Sequence, residues 1–225
     1  MEAKMLINGQ HVQASDGATL QSINPCNGEV LGTFPSATKT DVEAALDAAQ
    51  EGKKKWASMS FNHRAAILLK AAELFEQYED ELANLLCKEI GKPIAMCHGE
   101  YREIPSLLRS CVAAGMHQLG QTFPNKKAPG ALGDDIAFTI HEPLGVVVCI
   151  GPYNFPLSTL TFKTAPALAT GNAIIIKAPS DAALSVLRYT EILNEAGFPT
   201  GVVQSISGPG STVGEWLMDT PKINA

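Results

Sequence analysis

An α/β fold, with a parallel sheet covered by helices on both faces, is predicted on three observations. Near-continuous apolar runs occur at 146–150, 173–177 and 202–206, and a strand apolar at almost every position is buried on both faces. Segments of helical length, 157–170 and 181–196, separate those runs, and crossovers of that length make neighbouring strands parallel. With 45% hydrophobic and 18% charged residues over 225 positions, the chain carries enough apolar mass for one large core or two small ones.

Before that region the first forty residues read as edge hairpins, because Asn8-Gly9 and Asn27-Gly28 are turn dipeptides lying between apolar stretches. A helix is expected from Thr40, where Thr40 and Glu43 have capping-box spacing and Val42, Ala45, Leu46 and Ala49 follow at helical intervals. A second helical stretch runs from Asn62 in one or two pieces, with Ile67, Leu68, Ala71, Leu74 and Phe75 on one face. It ends at Gly91-Lys92-Pro93, a C-cap followed by a breaker. A third spans 96–119. Loop chemistry over 124–130 precedes an alternating strand with Ile136, Phe138 and Ile140 on one face, which reads as a projecting arm because loops and Lys/Pro-rich residues flank it. A short helix is expected from Thr212, after the third apolar run.

The formal charge of -6 offers no positive field for phosphate backbones or anionic lipid, so no nucleic-acid partner is expected. No segment approaches the roughly 18 to 20 apolar residues of a membrane span, and Met1-Glu2-Ala3-Lys4 lacks a signal core, so no membrane partner and a cytoplasmic location are expected. The five cysteines, Cys26, Cys87, Cys97, Cys111 and Cys149, are odd in number and form no CxxC pair. That argues against a disulfide framework and a zinc site, and no metal is expected. Most read as small buried hydrophobes; Cys149, inside an apolar run, would be a masked nucleophile at best.

Open parallel sheets bind ligands at the carboxyl ends of their strands, which directs attention to the segments after Ile150, Ile176 and Ile206. Gly151-Pro152-Tyr153-Asn154-Phe155-Pro156 places an amide at a strand mouth between two prolines that fix φ. Asn154 can donate to a developing oxyanion there, or it can be a turn residue bonding its own backbone. Lys177-Ala178-Pro179-Ser180 leads into a helix, so Lys177 can meet a ribose or phosphate, or snorkel to the surface. Ser207-Gly208-Pro209-Gly210-Ser211-Thr212-Val213-Gly214 is a GxGxxxG run between strand and helix, one residue longer than the dinucleotide fingerprint. It can be a phosphate cradle or a plain glycine turn.

Glu142-Pro143-Leu144-Gly145-Val146-Val147, the stretch from Gly151 to Pro156, Pro166-Ala167-Leu168-Ala169-Thr170-Gly171-Asn172, and Gly197-Phe198-Pro199-Thr200-Gly201-Val202-Val203 occur in this order. Together they resemble the aldehyde dehydrogenase superfamily over practically the whole chain. The resemblance implies an aldehyde dehydrogenase-like, Rossmann-like parallel sheet with flanking helices, incomplete, with a projecting β arm. It implies an NAD(P)-dependent oxidoreductase acting on an aldehyde substrate through a cysteine thioester, with Asn154 as oxyanion donor and Lys163 near the active site. It further implies Ile150, Pro152 and Tyr153 along the cofactor channel, Lys177 on the adenosine ribose, and Gly210 and Gly214 near the adenine.

Family members attack the aldehyde with a cysteine and activate water with a glutamate, and both lie beyond the segment that this chain matches. The expectation is therefore an amino-terminal part that is inactive by itself. Residues 1–122 and 143–225 would form a partial cofactor-binding domain and 123–142 an arm for homo-oligomerisation, with the catalytic domain absent. Many family members have glutamate where Ser180 stands, three residues after the ribose lysine. A neutral side chain removes a like-charge clash with a 2′-phosphate, so NADP is expected to be accepted beside NAD. Tyr153 replaces a common tryptophan. Two other functions remain open at this point: a non-catalytic binding or assembly fragment, and a reductase of acyl phosphates or acyl thioesters on the same scaffold.

Overall fold

The computed structural model describes residues 1–117, 120–123 and 137–225. A first hairpin of β1 (Met5–Ile7) and β2 (Gln10–Val12) precedes a second, β3 (Thr19–Ile23) and β4 (Val30–Pro35). Four helices follow: α1 (Lys39–Ser58), α2 (Phe61–Gln77), α3 (Glu79–Ile90) and α4 (Ile94–Gly115). The short strands β5 (Thr122–Phe123) and β6 (Ala137–Phe138) come next, and then β7 (Val146–Ile150), α5 (Pro156–Ala169), β8 (Ala173–Lys177), α6 (Ala183–Glu195), β9 (Val203–Ile206) and α7 (Glu215–Met218).

The main sheet has the order β2-β1-β9-β8-β7. Strands β7, β8 and β9 are parallel, as their apolar runs and helical crossovers predict, and β1 joins β9 antiparallel with Leu6 opposite Ser205. The first hairpin therefore extends a parallel core into a mixed sheet. Its tight turn is possible because Asn8 and Gly9 both take positive φ, 53° and 74°. All three residues of β1 are buried, so β1 is an inner strand and β2 the edge. β3 and β4 form a separate two-stranded sheet, and Thr33 of β4 also bridges Glu2.

Two hydrophobic cores lie on opposite faces of this sheet, and β8 shows the division: Ile174 and Ile176 join one, Ala173 and Ile175 the other. The first core packs against α2 to α6, through Leu68, Phe75, Leu86, Tyr101, Leu160 and Leu187 among others. The second packs against Val42, Ala45, Leu46 and Ala49 of α1, the periodic residues read from sequence, and against Leu217 of α7. Trp56 ties the layers together by donating its indole N–H to the Leu168 carbonyl at 2.8 Å.

Several boundaries differ from expectation. The cap of α1 is Thr38 with Asp41, two residues earlier than the Thr40 and Glu43 pair. The second helical stretch is two pieces, broken at Tyr78, and ends as predicted at Gly91 in the left-handed region, φ 67°. α4 ends at Gly115 rather than 119, and 118–119 lie outside the described residues. Of the alternating strand only Ala137–Phe138 is strand; Ile140 is not, and Ile136 and the loop over 124–130 lie outside the described residues. The short helix predicted from Thr212 is a π-helical turn at Gly210–Gly214 continued by α7. Two cysteines are buried, Cys97 and Cys149, fewer than the majority expected; Cys87 and Cys111 are half-buried and Cys26 is exposed. Among the described residues no helix is long and apolar enough to cross a membrane.

Candidate functional site

The register of the parallel strands fixes where their ends meet. Ile150 is opposite Lys177, and Lys177 is opposite Ile206, so the last residues of β7, β8 and β9 form one row at the carboxyl edge. The three loops singled out from sequence leave the sheet from that row. Ile150, Pro152, Tyr153, Asn154, Lys177, Ser180, Gly210 and Gly214 are thereby brought to one edge, as an open α/β sheet requires of a ligand site.

In the loop after β7, Pro152, Tyr153 and Asn154 are exposed, with Tyr153 at 61%. The Asn154 backbone carbonyl accepts a hydrogen bond from the Lys92 ammonium at 3.3 Å. Its side-chain amide bonds to none of the described residues, so it is not a turn amide closing on its own backbone. Lys163, about two turns into α5, points back and donates to the Ile150 carbonyl at 2.5 Å. It thus braces the start of the same loop.

After β8, Lys177 is buried to 5% exposure and its ammonium makes no hydrogen bond among the described residues. Burial pushes its pKa below the ordinary 10.5, and the nearby Asp181 carboxylate opposes that. Ser180 is exposed and, with Tyr153, Ser22, Ile23, Glu89 and Asp181, lines a cleft of about 360 Å³. After β9, Gly208 takes φ 135°, and a Cβ there would meet Val213 at 2.8 Å, so this glycine is required by the turn. Gly210 and Gly214 differ: a Cβ on either would meet nothing within 4 Å. Their lack of a side chain leaves open space above the π turn instead of serving internal packing. A lysine whose ammonium makes no hydrogen bond among the described residues and a bare glycine surface on the same edge could hold the ribose and the flat base of a nucleotide.

The helices that follow β7 and β8 are capped from a distance. Pro156 opens α5 and carries no N–H, and the Leu157 and Ser158 N–H groups donate to one Glu100 oxygen at 2.8 and 3.2 Å. Glu89 does the same for α6, accepting from the Leu184 and Ser185 N–H groups at 2.7 and 2.9 Å and from the Ser185 and Ser22 hydroxyls. Burial drives the Glu89 pKa up, and these four donors pull it back. Sequence reading singled out neither glutamate. The signal was present, since Glu89 follows Leu82 and Leu86, and Glu100 follows Cys97, on helix stripes that are buried. A carboxylate on such a stripe demands partners.

None of the buried thiols is suited to attack. Burial raises Cys149 to about 12 and Cys97 to about 11, and it raises Cys111 as well. Among the described residues no set of three His, Cys, Asp or Glu side chains converges as a metal site.

The sequence profile of the aldehyde dehydrogenase family matches residues 11–225. The chain is similar to a variant of an aldehyde dehydrogenase from Bacillus cereus, at 35% identity and TM-score 0.93, covering 99% of this chain and 45% of that one. It is similar to an NADP-dependent glyceraldehyde-3-phosphate dehydrogenase from Bacillus halodurans solved with NADP, at 30% identity and TM-score 0.96, with 99% and 47% covered. An NAD-dependent aldehyde dehydrogenase from Sinorhizobium meliloti matches at 32% identity and TM-score 0.93, with 99% and 44% covered. The chain spans less than half the length of these solved structures.

Proposed function

The chain belongs to the aldehyde dehydrogenase family, and we propose that it supplies the cofactor-binding part of an oxidoreductase that converts an aldehyde to a carboxylic acid with NAD(P)+. The observation that carries this reading is the carboxyl edge, where Lys177 ends β8 with no hydrogen bond to its ammonium among the described residues, and the loop after the neighbouring β7 carries an Asn154 amide that is likewise without one. Lys177 holds the adenosine ribose, Gly210 and Gly214 lie under the adenine, and Ile150, Pro152 and Tyr153 line the channel. Bound NAD(P)+ supplies the hydride acceptor. The Asn154 side-chain N–H donates to the carbonyl oxygen as that oxygen takes on negative charge, and Lys163 steadies the loop from the Ile150 carbonyl.

We place the nucleophile outside these 225 residues: burial raises the Cys97, Cys111 and Cys149 thiols, Cys87 is half-buried against the core, and Cys26 lies in the β3–β4 turn, outside the three loops that leave the carboxyl edge. We therefore expect no aldehyde turnover from the 225-residue chain alone. Its exposed Phe123 and Phe138, on the paired β5 and β6, support a role for the arm over 123–142 in homo-oligomerisation.

The decisive experiment is Asn154→Ala in the enzyme that carries this chain. Loss of one oxyanion donor lowers kcat about 100-fold or more and leaves cofactor affinity unchanged; an unaltered kcat would remove Asn154 from the chemistry. The neutral Ser180 supports acceptance of NADP. Turnover with NADP at least equal to that with NAD at matched concentrations is the expected outcome, and Ser180→Glu should shift preference toward NAD.

A further inference from the structure

We propose that the buried ion pair of Lys92 and Glu100 is a positioning device that sets the conformation of the Asn154 loop. This rests on the reading of Asn154 as the amide donor. The pair lies almost wholly out of solvent, with side-chain exposures of 8% and 0%, and its ammonium and carboxylate are 2.6 Å apart. Such a pair repays its desolvation only when the remaining protons and lone pairs are also engaged.

Here they are engaged, and all on one segment. The Lys92 ammonium has three donors: one serves Glu100, one the Asn154 carbonyl at 3.3 Å, and the cation stands 3.3 Å over the centre of the Phe155 ring. The second Glu100 oxygen receives the Leu157 and Ser158 N–H groups. Two side chains thus hold consecutive parts of residues 154–158 by a carbonyl, a ring face and two amides. Phe155 offers α5 no side-chain cap and Pro156 has no N–H, so the segment supplies little of this restraint by itself.

The local chain explains how Lys92 reaches inward. Gly91 ends α3 in the left-handed region at φ 67°, and Pro93 precedes α4, so the chain reverses around Lys92 and turns its side chain toward the α5 N-terminus. Gly91-Lys92-Pro93 is thus more than helix punctuation. An oxyanion donor acts only if it is already in place when charge develops, so the pair acts on the reaction through Asn154 and touches no substrate itself.

The test compares Lys92→Met, which keeps length and packing but removes the charge, with the conservative Lys92→Arg. Amide hydrogen exchange in the 225-residue chain is read residue by residue, together with kcat and cofactor Kd in the enzyme carrying this chain. Lys92→Met should accelerate exchange at the amides of 154, 155, 157 and 158 by about tenfold, the worth of one charge-assisted hydrogen bond, while exchange in β8 and β9 stays at its original rate. kcat should fall about as much with cofactor Kd unchanged, and Lys92→Arg should restore part of both. Unchanged exchange at 154–158, or equal acceleration throughout β7 to β9, would overturn the positioning role. If exchange localises but both Lys92→Met and Asn154→Ala turn over normally, the clamp stands and the oxyanion role of Asn154 is overturned.

Discussion

Lys177 shows how a functional residue can weaken the fold that holds it. It is a buried residue at the end of β8, and burial lowers its pKa below 10.5 with the Asp181 charge in opposition. The folded state therefore binds fewer protons than the unfolded state between the lowered value and 10.5. Stability rises with pH through that window, and at neutral pH the charged lysine is a net cost. Lys177→Met should melt at a higher temperature than the parent at pH 7, with the advantage shrinking as pH approaches 10.5. It should bind cofactor more weakly throughout. Calorimetry across pH checks the first statement, and a lower Tm for Lys177→Met at pH 7 would show that the cation is satisfied in the free protein. The cysteines allow a second check at this scale: a thiol reagent should label exposed Cys26 quickly in the native chain and reach Cys97 and Cys149 only on unfolding.

At the level of elements, stability concentrates where helix ends and backbones meet without a local solution. Glu89→Ala would leave the Leu184 and Ser185 N–H groups at the start of α6 without their acceptor, inside a buried region, and should cost about 2 to 4 kcal/mol. Gly52 of α1 presses on the turn before β9, where a Cβ would stand 2.1 Å from the Gly201 backbone. Gly52→Ala should therefore cost at least about 1 to 3 kcal/mol, despite the better helix propensity of alanine. Urea unfolding measures both, and a neutral Gly52→Ala would mean that α1 can shift freely on the sheet. The same elements show what a sequence can carry. Strands β7 to β9 were legible because their apolar runs report burial on both faces, and the strand ends then located the candidate site. The true cap of α1 was not, because Thr38 with Asp41 and Thr40 with Glu43 satisfy the same spacing. What decides is that the Asp41 carboxylate also receives the Ser15 N–H from a distant loop. The β1 pairing with β9 joins residues 199 positions apart, and Glu100 meets the α5 N-terminus 57 positions away. Local patterns do not encode such contacts; a charged residue on a buried stripe only announces that one must exist.

The whole molecule leaves one flank of its sheet thinly covered. β2 closes one side as a short, exposed edge strand, whereas on the other side β7 is bordered, among the described residues, by Asn224, through its backbone and side chain, and by the backbone of Ala225. Their hydrogen bonds engage Val146 and Val148, and Ile150 beyond them is part-exposed. Around this flank and the carboxyl edge stand further exposed apolar side chains: Leu144, Tyr153, Phe155 and, on α5, Phe162 at 59%. An apolar stretch beside an incompletely paired strand edge is a template for association, and the net charge of -6 is modest opposition at physiological salt. The 225-residue chain alone should therefore sediment with a mass that rises with concentration. Phe162→Lys combined with Ile150→Lys should shift it toward monomer, because charges on the edge and beside it must be desolvated when copies stack. If association instead runs through the arm, those substitutions will leave it unchanged, and Phe138→Lys will abolish it. A mass independent of concentration would show that this flank is adequately covered by the chain's own last residues.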